Sequence, residues 1–461
     1  MDTPAATDSL TAALEELRHR FGERLLTSDA AREHHGSGES HLPPQWPDAV
    51  IMATSTEDIA DVLRAAHTHG VPVIPFGAGS SLEGQIHAPR GGISIDMSGM
   101  DRIIAVNPED MDCTVACGVT RQALNEHLRD TGLFFPVDLG AHATLGGMAA
   151  TRASGTTTVR YGSMRDLVLG LTVVMPDGQI IKTGGRARKS SAGYDLTRLM
   201  IGSEGTLGII TELTLRLFGI PEAAQSAMCS FASIEEATET VVTALQCGLS
   251  LNRIELADAV QMRAINAYSG TDLPEHPTLW IELTGSEAAV THDMGVLRDL
   301  AEGALRFDGA DTAEAASKLW RIRHDALYAA RALRPGIKGI STDVCVPVSQ
   351  LPACISGIME VIATTSIIAP LVGHVGDGNF HLVLLYDPAD ADEVREAQHI
   401  NSSLIAMALA MGGTCTGEHG VGLGKKAYLD AEHGPALDVM RRIKRALDPG
   451  GIMNPGKIFD L

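Results

Sequence analysis

The chain has 461 residues, of which 44% are hydrophobic and 20% charged, and its formal net charge is −21 because 57 acidic residues outnumber 36 basic ones. A chain of this length exceeds a single ordinary core, so two or more packed domains are expected. The charge argues against a nucleic-acid backbone or an anionic membrane surface as the main partner, and it requires a local cation wherever an anionic substrate binds.

The amino-terminal residues and the cysteines bear on the cellular compartment. Residues 1–10 contain no apolar run, which predicts that no secretory signal is present. No stretch approaches the ~18 consecutive apolar residues of a membrane-spanning helix. The seven cysteines are scattered and odd in number, which favours reduced thiols in a cytoplasmic protein over disulfides. Cys113 and Cys117 lack the spacing of a metal knuckle, so both are expected to pack.

The first 220 residues alternate short helices with short strands. Residues 11–21 repeat apolar side chains at helical spacing. A second helix is expected after Ser55, because Ser55 and Asp58 have the spacing of a capping box, and Gly70 would end it. Strands are predicted at 71–75, 93–97, 103–106 and 114–116, in a hairpin over 169–182, and where Leu213, Leu215 and Leu217 alternate with polar residues.

The pattern changes after Pro221, where strand-like and helix-like segments alternate at longer spacing. This rhythm predicts a second domain of the α+β class. Its strands are predicted at 227–231, 252–256, 278–284, 343–348, 367–375 and 380–386, and its helices at 234–246, 292–302 and 390–411.

A glycine-rich loop in the first half is the first candidate for a binding site. The loop Gly77-Ala78-Gly79-Ser80-Ser81 follows a predicted strand. Its glycines let backbone N–H groups approach an anion, and its serines add donors. Taken alone, such a loop is more often an ordinary turn than a pyrophosphate cradle. It is not the Rossmann fingerprint, because the third glycine and the helix start are missing.

Two further segments follow in order. Residues 136–162 combine small residues and hydroxyls that would pack closely against a flat cofactor. Residues 201–212 contain the run Gly202-Ser203-Glu204-Gly205-Thr206. Any one of the three segments could be structural, but their succession in this order predicts a cofactor site.

A histidine pair stands out in the second half. His374 and His381 flank the run Val375-Gly376-Asp377-Gly378-Asn379-Phe380. The dipeptide Asp377-Gly378 predicts a type I′ turn, which would place the two histidines directly opposite each other, with Cβ atoms ~4.5–5.5 Å apart. The pair could then share a metal ion, or it could be a hairpin with two surface histidines.

A second polar segment, 412–422, carries Glu418 and His419 between glycines. Two histidines and one carboxylate leave open positions on a divalent ion, and the hydroxyl and carboxylate oxygens of a substrate would fill them. The ion would lower the pKa of the hydroxyl, and His419 would accept its proton.

The three glycine-rich segments resemble the FAD-binding domain of the vanillyl-alcohol-oxidase-like flavoprotein superfamily. The resemblance implies a two-part FAD-binding domain at 1–220, an α+β substrate (cap) domain at 221–412, and a carboxy-terminal segment, 413–461, that returns to the flavin. Ser80 and Ser81 stand where members with a covalent flavin often carry a histidine, which implies non-covalent FAD. The implied cofactor positions are Pro75, Gly77, Ala78, Gly79, Ser80, Ser81, Gly84, Pro136, Thr144, Gly147, Thr151, Ser154, Gly155, Tyr161, Gly162, Glu204, Gly205, Gly208, Ile210 and Asn454.

The second half is similar to the D-2-hydroxyacid dehydrogenase branch of that superfamily, and the similarity runs from about Pro43 to the end. In this branch the residues that match His374, His381 and Glu418 hold a divalent metal ion (Zn, Mn or Fe), and the one that matches His419 is the catalytic base. Arg323 matches the position that clamps the substrate carboxylate. It would supply the cation that the net charge requires and would bind the carboxylate through two hydrogen bonds.

The resemblance implies FAD-dependent oxidation of a small D-2-hydroxy acid, with D-lactate favoured, to the 2-oxo acid. Leu327, Ser341 and Val383 stand where enzymes of the 2-hydroxyglutarate type carry polar or cationic side chains, which predicts a short apolar substrate tail. The alternatives are a glycolate oxidase catalytic subunit, a D-2-hydroxyglutarate dehydrogenase, a flavoprotein with non-redox transfer chemistry and a metal-dependent hydrolase without flavin.

The implied reaction requires an external electron acceptor, which would be a cytochrome, a quinone or an electron-transfer protein. No nucleic-acid partner is expected, and a homodimer is the assembly considered. The expected location is the cytoplasm, with a peripheral position at the inner membrane left open because a quinone acceptor would require it.

Overall fold

A computed structural model describes residues 4–310, 312–337 and 339–461 of the chain. The chain divides into two compact units. The first comprises Met1–Ser154, Gly162–Ile220 and Glu418–Leu461, and the second comprises Gly155–Tyr161 and Pro221–Gly417. Both units mix helices and strands, as the α+β class requires.

The first unit contains two main sheets that share one hydrophobic core. In the smaller sheet the order is Leu25–Leu26, Ala49–Met52, Ile93–Asp96 and Val73–Phe76, and the last three strands run parallel. The larger sheet is antiparallel, in the order Ile103–Asn107, Asp112–Ala116, Ile209–Arg216, Val168–Val174 and Ile180–Gly184. A separate short pair is formed by Leu133–Phe134 and Phe218–Gly219. The α-helices are Pro4–Phe21, Asp29–Gly36, Thr56–His69, Arg121–Leu128, Leu145–Thr151, Met164–Leu167, Leu196–Met200, Leu429–His433 and Ala436–Leu447.

The second predicted helix of this unit begins and ends where the sequence indicates. Ser55 accepts a hydrogen bond from the backbone N–H of Asp58 (3.1 Å), and Gly70 ends the helix with a φ of 67°. Only one of the two hydrogen bonds of the predicted capping box is formed. The Asp58 carboxylate accepts from the N–H of Thr54 (3.0 Å) and from Arg24 (2.6 Å) instead of reaching back to Ser55, because a distant arginine competes for it.

The core of the first unit confirms the periodicity arguments. The predicted hairpin pairs Val168–Val174 with Ile180–Gly184 in antiparallel register. Leu213, Leu215 and Leu217 are buried, as their alternation predicts. The two closely spaced cysteines, Cys113 and Cys117, belong to the same core, and burial raises the pKa of both thiols to about 12. Both therefore serve as packing residues.

The second unit is built on one eight-stranded antiparallel sheet. Seven strands follow the order Arg306–Ala310, Ala223–Ser230, Thr278–Gly285, Leu251–Ala257, Leu371–His374, Asn379–Leu384 and Ile340–Ser341, and Val344–Cys345 also pairs with Asn379–Leu384. The α-helices are Thr158–Tyr161, Ile234–Gln246, Ala259–Ser269, Glu287–Leu300, Ala313–His324, Ala326–Ala332, Leu351–Ile362 and Ala391–Ala410. Throughout the described ranges, every helix is too short or too polar to cross a lipid bilayer.

The domain limits implied by the sequence differ from the two units at two places. Residues 155–161 belong to the second unit because the helix Thr158–Tyr161 packs on the strand Leu251–Ala257. Residues 413–417 also belong to it, since Thr414 exchanges backbone hydrogen bonds with Cys345. The strand predicted at 343–348 is reduced to Val344–Cys345.

The predicted type I′ turn between the two histidines is wrong. His374 pairs with Asn379 and Val372 pairs with His381, so residues 375–378 form a four-residue loop. Of the two predicted central residues only Gly378 has a positive φ (83°), whereas a type I′ turn needs positive φ at both. The loop is held from outside the hairpin, because the N–H of Val346 donates to the carbonyl of Gly378 (2.9 Å).

Candidate active site

The first predicted cofactor loop begins directly after the strand Val73–Phe76. Gly77 lies against Thr144, where a Cβ would be 2.5 Å from the threonine hydroxyl oxygen, so a larger residue does not fit. Gly79 takes a φ of +69°, a conformation that favours glycine. The hydroxyl of Ser81 is buried and has no hydrogen-bond partner within the described part of the chain. The close glycines and this available donor fit the pyrophosphate of a dinucleotide cofactor.

Two predicted hydroxyl ligands act within the helix Leu145–Thr151. Thr144 caps the helix by accepting from the N–H of Gly147 (3.3 Å), and the hydroxyl of Thr151 donates to the Gly147 carbonyl (3.2 Å). Both hydroxyls stabilise the helix itself. Thr144 only accepts in its bond and therefore keeps its own O–H as a donor, and the predicted FAD contacts of both threonines stay predictions.

The third glycine-rich segment and the carboxy-terminal segment meet near the first loop. Gly205 packs on the ring of Pro75 so closely that a Cβ would overlap it. The amide of Asn454 donates to the carbonyls of Gln85 (3.1 Å) and Glu204 (2.7 Å). The structure therefore brings together residues that are distant in sequence but were predicted to serve one cofactor.

The remaining predicted cofactor positions are divided between the two units. Gly155 and Tyr161 belong to the second unit, where the N–H of Gly155 donates to the hydroxyl of Thr158 (2.9 Å). The others lie in the first unit, and they are Ala78, Ser80, Gly84, Pro136, Ser154, Gly162, Gly208 and Ile210.

Glu204 makes hydrogen bonds that the sequence did not predict. Its carboxylate accepts hydrogen bonds from the backbone N–H groups of Val421 (2.6 Å) and Gly422 (2.9 Å). Burial raises the pKa of Glu204 to about 7, against the lowering effect of those two bonds. The carboxylate thus holds the segment that follows His419, and its predicted contact with FAD stays a prediction.

The segment that carries Glu418 and His419 is also fixed from other sides within the first unit. The carbonyl of His419 accepts from the amide of Gln85 (2.8 Å). The hydroxyl of Ser154 donates to one oxygen of Glu418 (3.4 Å), and Nε2 of His419 lies 3.8 Å from the other. A predicted FAD contact, Ser154, therefore adjoins the predicted metal ligand and the predicted base.

The raised pKa of Glu204 predicts that the free energy of unfolding depends on pH. The folded chain holds a proton on this carboxyl up to about pH 7, whereas the unfolded chain releases it near the ordinary value of ~4.3. The contribution of this group to the free energy of unfolding therefore falls as the pH rises through that interval. We expect the Glu204→Gln variant to lose less stability between pH 5 and pH 7.5 than the wild type.

Thermal unfolding of both proteins at the two pH values measures this difference. Asp293→Asn is a suitable control, because Asp293 also accepts a backbone hydrogen bond, from the N–H of Ser250 (2.9 Å), but belongs to the second unit. Equal pH slopes for the wild type and Glu204→Gln would contradict the assignment of the signature to Glu204.

In the second unit the two histidines are diagonal neighbours on one face of the sheet. Their ring centroids are 5.6 Å apart. Nδ1 of His374 bonds to both carboxylate oxygens of Glu255 (2.8 and 2.9 Å), and Nδ1 of His381 bonds to the carbonyl of Thr342 (2.8 Å). Each bond fixes the tautomer in which Nε2 carries the lone pair, which is the form that binds a divalent ion. The donor chemistry of this pair fits a metal site.

Arg323, the predicted carboxylate clamp, has a partner that sequence reasoning missed. Its terminal Nη2 donates to Glu255 at 2.6 Å, and Glu255 is fully buried. The Nε of Arg323 is buried and lacks a hydrogen-bond partner among the residues described, so a donor remains for a substrate carboxylate. The signal for Glu255 was present in the strand Leu251–Ala257, where Arg253 and Glu255 are two charged residues at alternate positions of a mostly apolar strand.

A second buried carboxylate, Asp343, was also missed. One of its oxygens accepts from the amide of Asn379 (2.8 Å) and the other from the hydroxyl of Thr416 (2.8 Å). The first oxygen lies 3.8 Å from Nδ1 of His381. Asp343 therefore links the histidine hairpin to Thr416 within the second unit.

The three residues predicted to contact the substrate tail have different environments. Ser341 and Val383 are direct cross-strand partners. Val383 is buried in a small apolar cluster with Ala330 and Leu385, whereas the side chain of Leu327 is exposed. The prediction of a short apolar tail stays a prediction.

Two family models match the chain. The description "FAD binding domain" matches residues 47–184, and "FAD linked oxidases, C-terminal domain" matches residues 220–458. A Danio rerio protein named "Probable D-lactate dehydrogenase, mitochondrial" is 47% identical over 98% of this chain and 93% of its own length. The Arabidopsis thaliana "D-lactate dehydrogenase [cytochrome], mitochondrial" is 44% identical over 97% of this chain and 80% of its own. The Bacillus subtilis "Glycolate oxidase subunit GlcD" is 34% identical over 90% of both.

Two solved structures with the same fold are much less similar in sequence. p-Cresol methylhydroxylase superposes with a TM-score of 0.80 at 19% identity over 99% of this chain and 98% of its own. The 4-ethylphenol oxidase from Gulosibacter chungangensis superposes with a TM-score of 0.79 at 19% identity over 98% of both chains. At this level of identity the likeness concerns the fold alone.

Proposed function

The chain belongs to the FAD-linked oxidase family, and on that premise we propose that it oxidises D-lactate to pyruvate. It is an FAD-dependent oxidoreductase with the two-part FAD-binding fold of the vanillyl-alcohol-oxidase type and an α+β second domain. D-lactate is preferred because the chain shares more identical residues with two proteins named D-lactate dehydrogenase than with the glycolate oxidase subunit. Family membership also argues against the flavin-free hydrolase alternative.

The proposed FAD contacts are those implied by the sequence, except that Glu204 and Asn454 are assigned supporting roles because of the hydrogen bonds they make. The support comes from the first unit, where Gly77 fits against Thr144 and the hydroxyl of Ser81 is available as a donor. Non-covalent binding is proposed because Ser80 and Ser81 offer no imidazole for a flavin linkage. Asn454 supports the site indirectly, by tying the carboxy-terminal segment to two backbone carbonyls.

The observation that carries the proposed chemistry is the fixed tautomer of two neighbouring histidines. His374 and His381 both bond through Nδ1, to a carboxylate and a carbonyl respectively, which is the usual arrangement of histidine ligands of metal ions. We propose that they bind a divalent ion (Zn, Mn or Fe) with Glu418. The identity of the ligands rests on the family resemblance and on this donor chemistry.

The residues divide the reaction between them. When bound, FAD supplies the acceptor for the hydride on the substrate Cα, and the divalent ion supplies positive charge that lowers the pKa of the hydroxyl. Arg323 donates to the substrate carboxylate and orients it. His419 takes the hydroxyl proton at an imidazole nitrogen. Glu204 and Gln85 keep the backbone on the carboxy-terminal side of His419 in place.

We propose that electrons leave through a separate redox partner. The name of the Arabidopsis relative includes "cytochrome", which favours a cytochrome over the other acceptors considered. The Danio and Arabidopsis relatives are named as mitochondrial, so the cytoplasmic location stays a prediction, as does a homodimer.

The test is anaerobic mixing of the purified, metal-replete protein with D-lactate while the flavin absorbance is followed. Rapid bleaching by D-lactate but not by L-lactate is expected, because a site that fixes the carboxylate, the hydroxyl and the hydride path accepts one enantiomer. Bleaching by glycolate and not by D-lactate would move the substrate to that acid. A yellow protein that neither acid bleaches would contradict the proposal.

A further inference from the structure

The carboxylate of Glu255, in the second unit, is buried where an ionised group is energetically unfavourable. Glu255 is on the strand Leu251–Ala257, which is flanked in the sheet by Thr278–Gly285 and Leu371–His374. Its side chain is fully buried. An ionised carboxylate in such a position is unfavourable unless charged and hydrogen-bonded partners surround it. The environment of Glu255 must therefore provide these partners.

Two side chains from different elements supply them. Arg323, at the end of the helix Ala313–His324, donates to Oε2 at 2.6 Å. His374, at the end of the strand Leu371–His374, bonds through Nδ1 to Oε1 at 2.8 Å and to Oε2 at 2.9 Å. Glu255 thus bonds to both the predicted carboxylate clamp and a predicted metal ligand.

The bond to His374 decides the form of its imidazole. With Nδ1 donating to a carboxylate, Nε2 keeps its lone pair and the ring plane is fixed. A neighbouring carboxylate also fixes the ring orientation that a metal ligand needs. A neutral amide in place of Glu255 would lose that charge and could present its NH₂ group to Nδ1.

The hydrogen bond between Glu255 and Arg323 orients the guanidinium, whereas the position of the helix is set by other contacts. The helix is anchored by Trp320, whose Nε1 donates to the hydroxyl of Ser226 (3.0 Å) and whose ring lies 4.2 Å from Cζ of Arg253. With the helix anchored there, one nitrogen of Arg323 is held by Glu255 while its buried Nε has no partner in the ranges that the structure describes. Glu255 therefore fixes which edge of the guanidinium is presented.

We propose that Glu255 is a positioning residue that holds His374 in its metal-binding tautomer and Arg323 in its carboxylate-binding orientation. This inference rests on the proposed function for the roles of His374 and Arg323. It adds that the two roles share one support, so that a single buried change disturbs ion binding and substrate binding together.

The experiment measures Zn²⁺ affinity of the FAD-loaded, chelator-stripped full chain by competition with a fluorescent chelator. The Glu255→Gln variant is expected to bind Zn²⁺ roughly 10- to 100-fold more weakly than the wild type. The Glu255→Asp variant, which keeps the charge, is expected to recover part of that loss. The control is Glu282→Gln, because Glu282 is a second buried carboxylate of the same sheet and pairs with Arg253 (2.9 Å) and not with a histidine.

Glu282→Gln removes a comparable buried ion pair, so it is expected to lower stability while Zn²⁺ affinity stays within about twofold of the wild type. A second readout uses ¹⁵N-labelled histidine, with the His374 signal assigned through His374→Gln. Nδ1 of His374 should be the protonated nitrogen in the ion-free wild type, and this preference should be lost in Glu255→Gln but kept in Glu282→Gln.

Equal Zn²⁺ affinities of wild type and Glu255→Gln would overturn the inference, as would a wild type whose His374 is protonated on Nε2. An aspartate variant no tighter than the glutamine variant would overturn the role assigned to the charge. Neither readout involves D-lactate, so a failure of D-lactate to bleach the flavin would count against the proposed function and leave this result standing.

Discussion

Replacing His419 with alanine is expected to slow the reduction of the flavin by D-lactate by about 10²- to 10⁴-fold, the range typical for loss of a general base. The physical reason is that the substrate hydroxyl must lose its proton as the hydride leaves Cα, and water is a much weaker base than an imidazole. FAD should remain bound, because the cofactor loop around Gly77 and Ser81 does not depend on the His419 side chain. Stopped-flow absorbance under anaerobic conditions measures the rate, and the flavin spectrum measures occupancy.

The control for this variant is His127→Ala. His127 is an exposed histidine on the helix Arg121–Leu128 of the same unit, so its loss should leave the rate unchanged. His419 lies within a segment held through its backbone by Glu204 and Gln85, and the alanine variant keeps those bonds. A His419→Ala enzyme that still reduces its flavin quickly would rule out His419 as the base.

The second large effect is expected for Arg323→Met. Methionine has a similar length but no charge, so Glu255 would be left buried with His374 as its one remaining partner among those identified. Removing one partner of a buried ion pair typically lowers the free energy of unfolding by about 3–5 kcal/mol. The loss of charge-assisted hydrogen bonds to the substrate carboxylate, worth about 1.5–3 kcal/mol, should lower kcat/KM for D-lactate roughly 10- to 150-fold.

The double variant Arg323→Met/Glu255→Gln separates the two effects. It removes both charges, so much of the stability should return, whereas kcat/KM should stay low because the clamp is absent. In a Trp46→Phe background the two remaining tryptophans, Trp280 and Trp320, both belong to the second unit, and their fluorescence during urea unfolding reports on that unit.

Arg334→Met is the control, because Arg334 forms another partly buried ion pair of the second unit, with Glu393 (2.5 Å), and is not part of the Trp320 anchor. It should lower stability without a comparable loss of kcat/KM. If Arg323→Met leaves kcat/KM unchanged, or Arg334→Met lowers it as much, Arg323 is not the clamp.

Both predictions concern residues that the sequence pointed out without their hydrogen-bond partners. The family resemblance drew attention to Arg323 and His419, but it offered no partner for either. In the folded chain, Arg323 is bound to Glu255, and the His419 segment is bound to Glu204 and Gln85. The catalytic prediction is therefore as much about these supports as about the side chains that would touch the substrate.

Features that depend on near neighbours in the chain were predictable. A helix begins after Ser55 and ends at Gly70, as expected. The hairpin over 168–184 forms as expected, and the leucines of the strand Ile209–Arg216 are buried. Capping, turn formation and alternation are decided by side chains a few residues apart. The glycine-rich FAD segments were recognised through the family resemblance, since any one of them alone could be structural.

Features that depend on distant partners were not predictable. Glu255 is 68 residues from Arg323 and 119 from His374, and no local pattern records which buried charges will meet. Likewise, the turn after His374 lost its type I′ geometry because the backbone of Val346 holds Gly378, and Glu204 became a support for Val421 and Gly422. The sequence by itself determined the family and the FAD cofactor, and it predicted the residues of the site. Only the tertiary structure decided which buried carboxylate supports which functional residue, since a buried charge is stable only beside partners that folding brings to it.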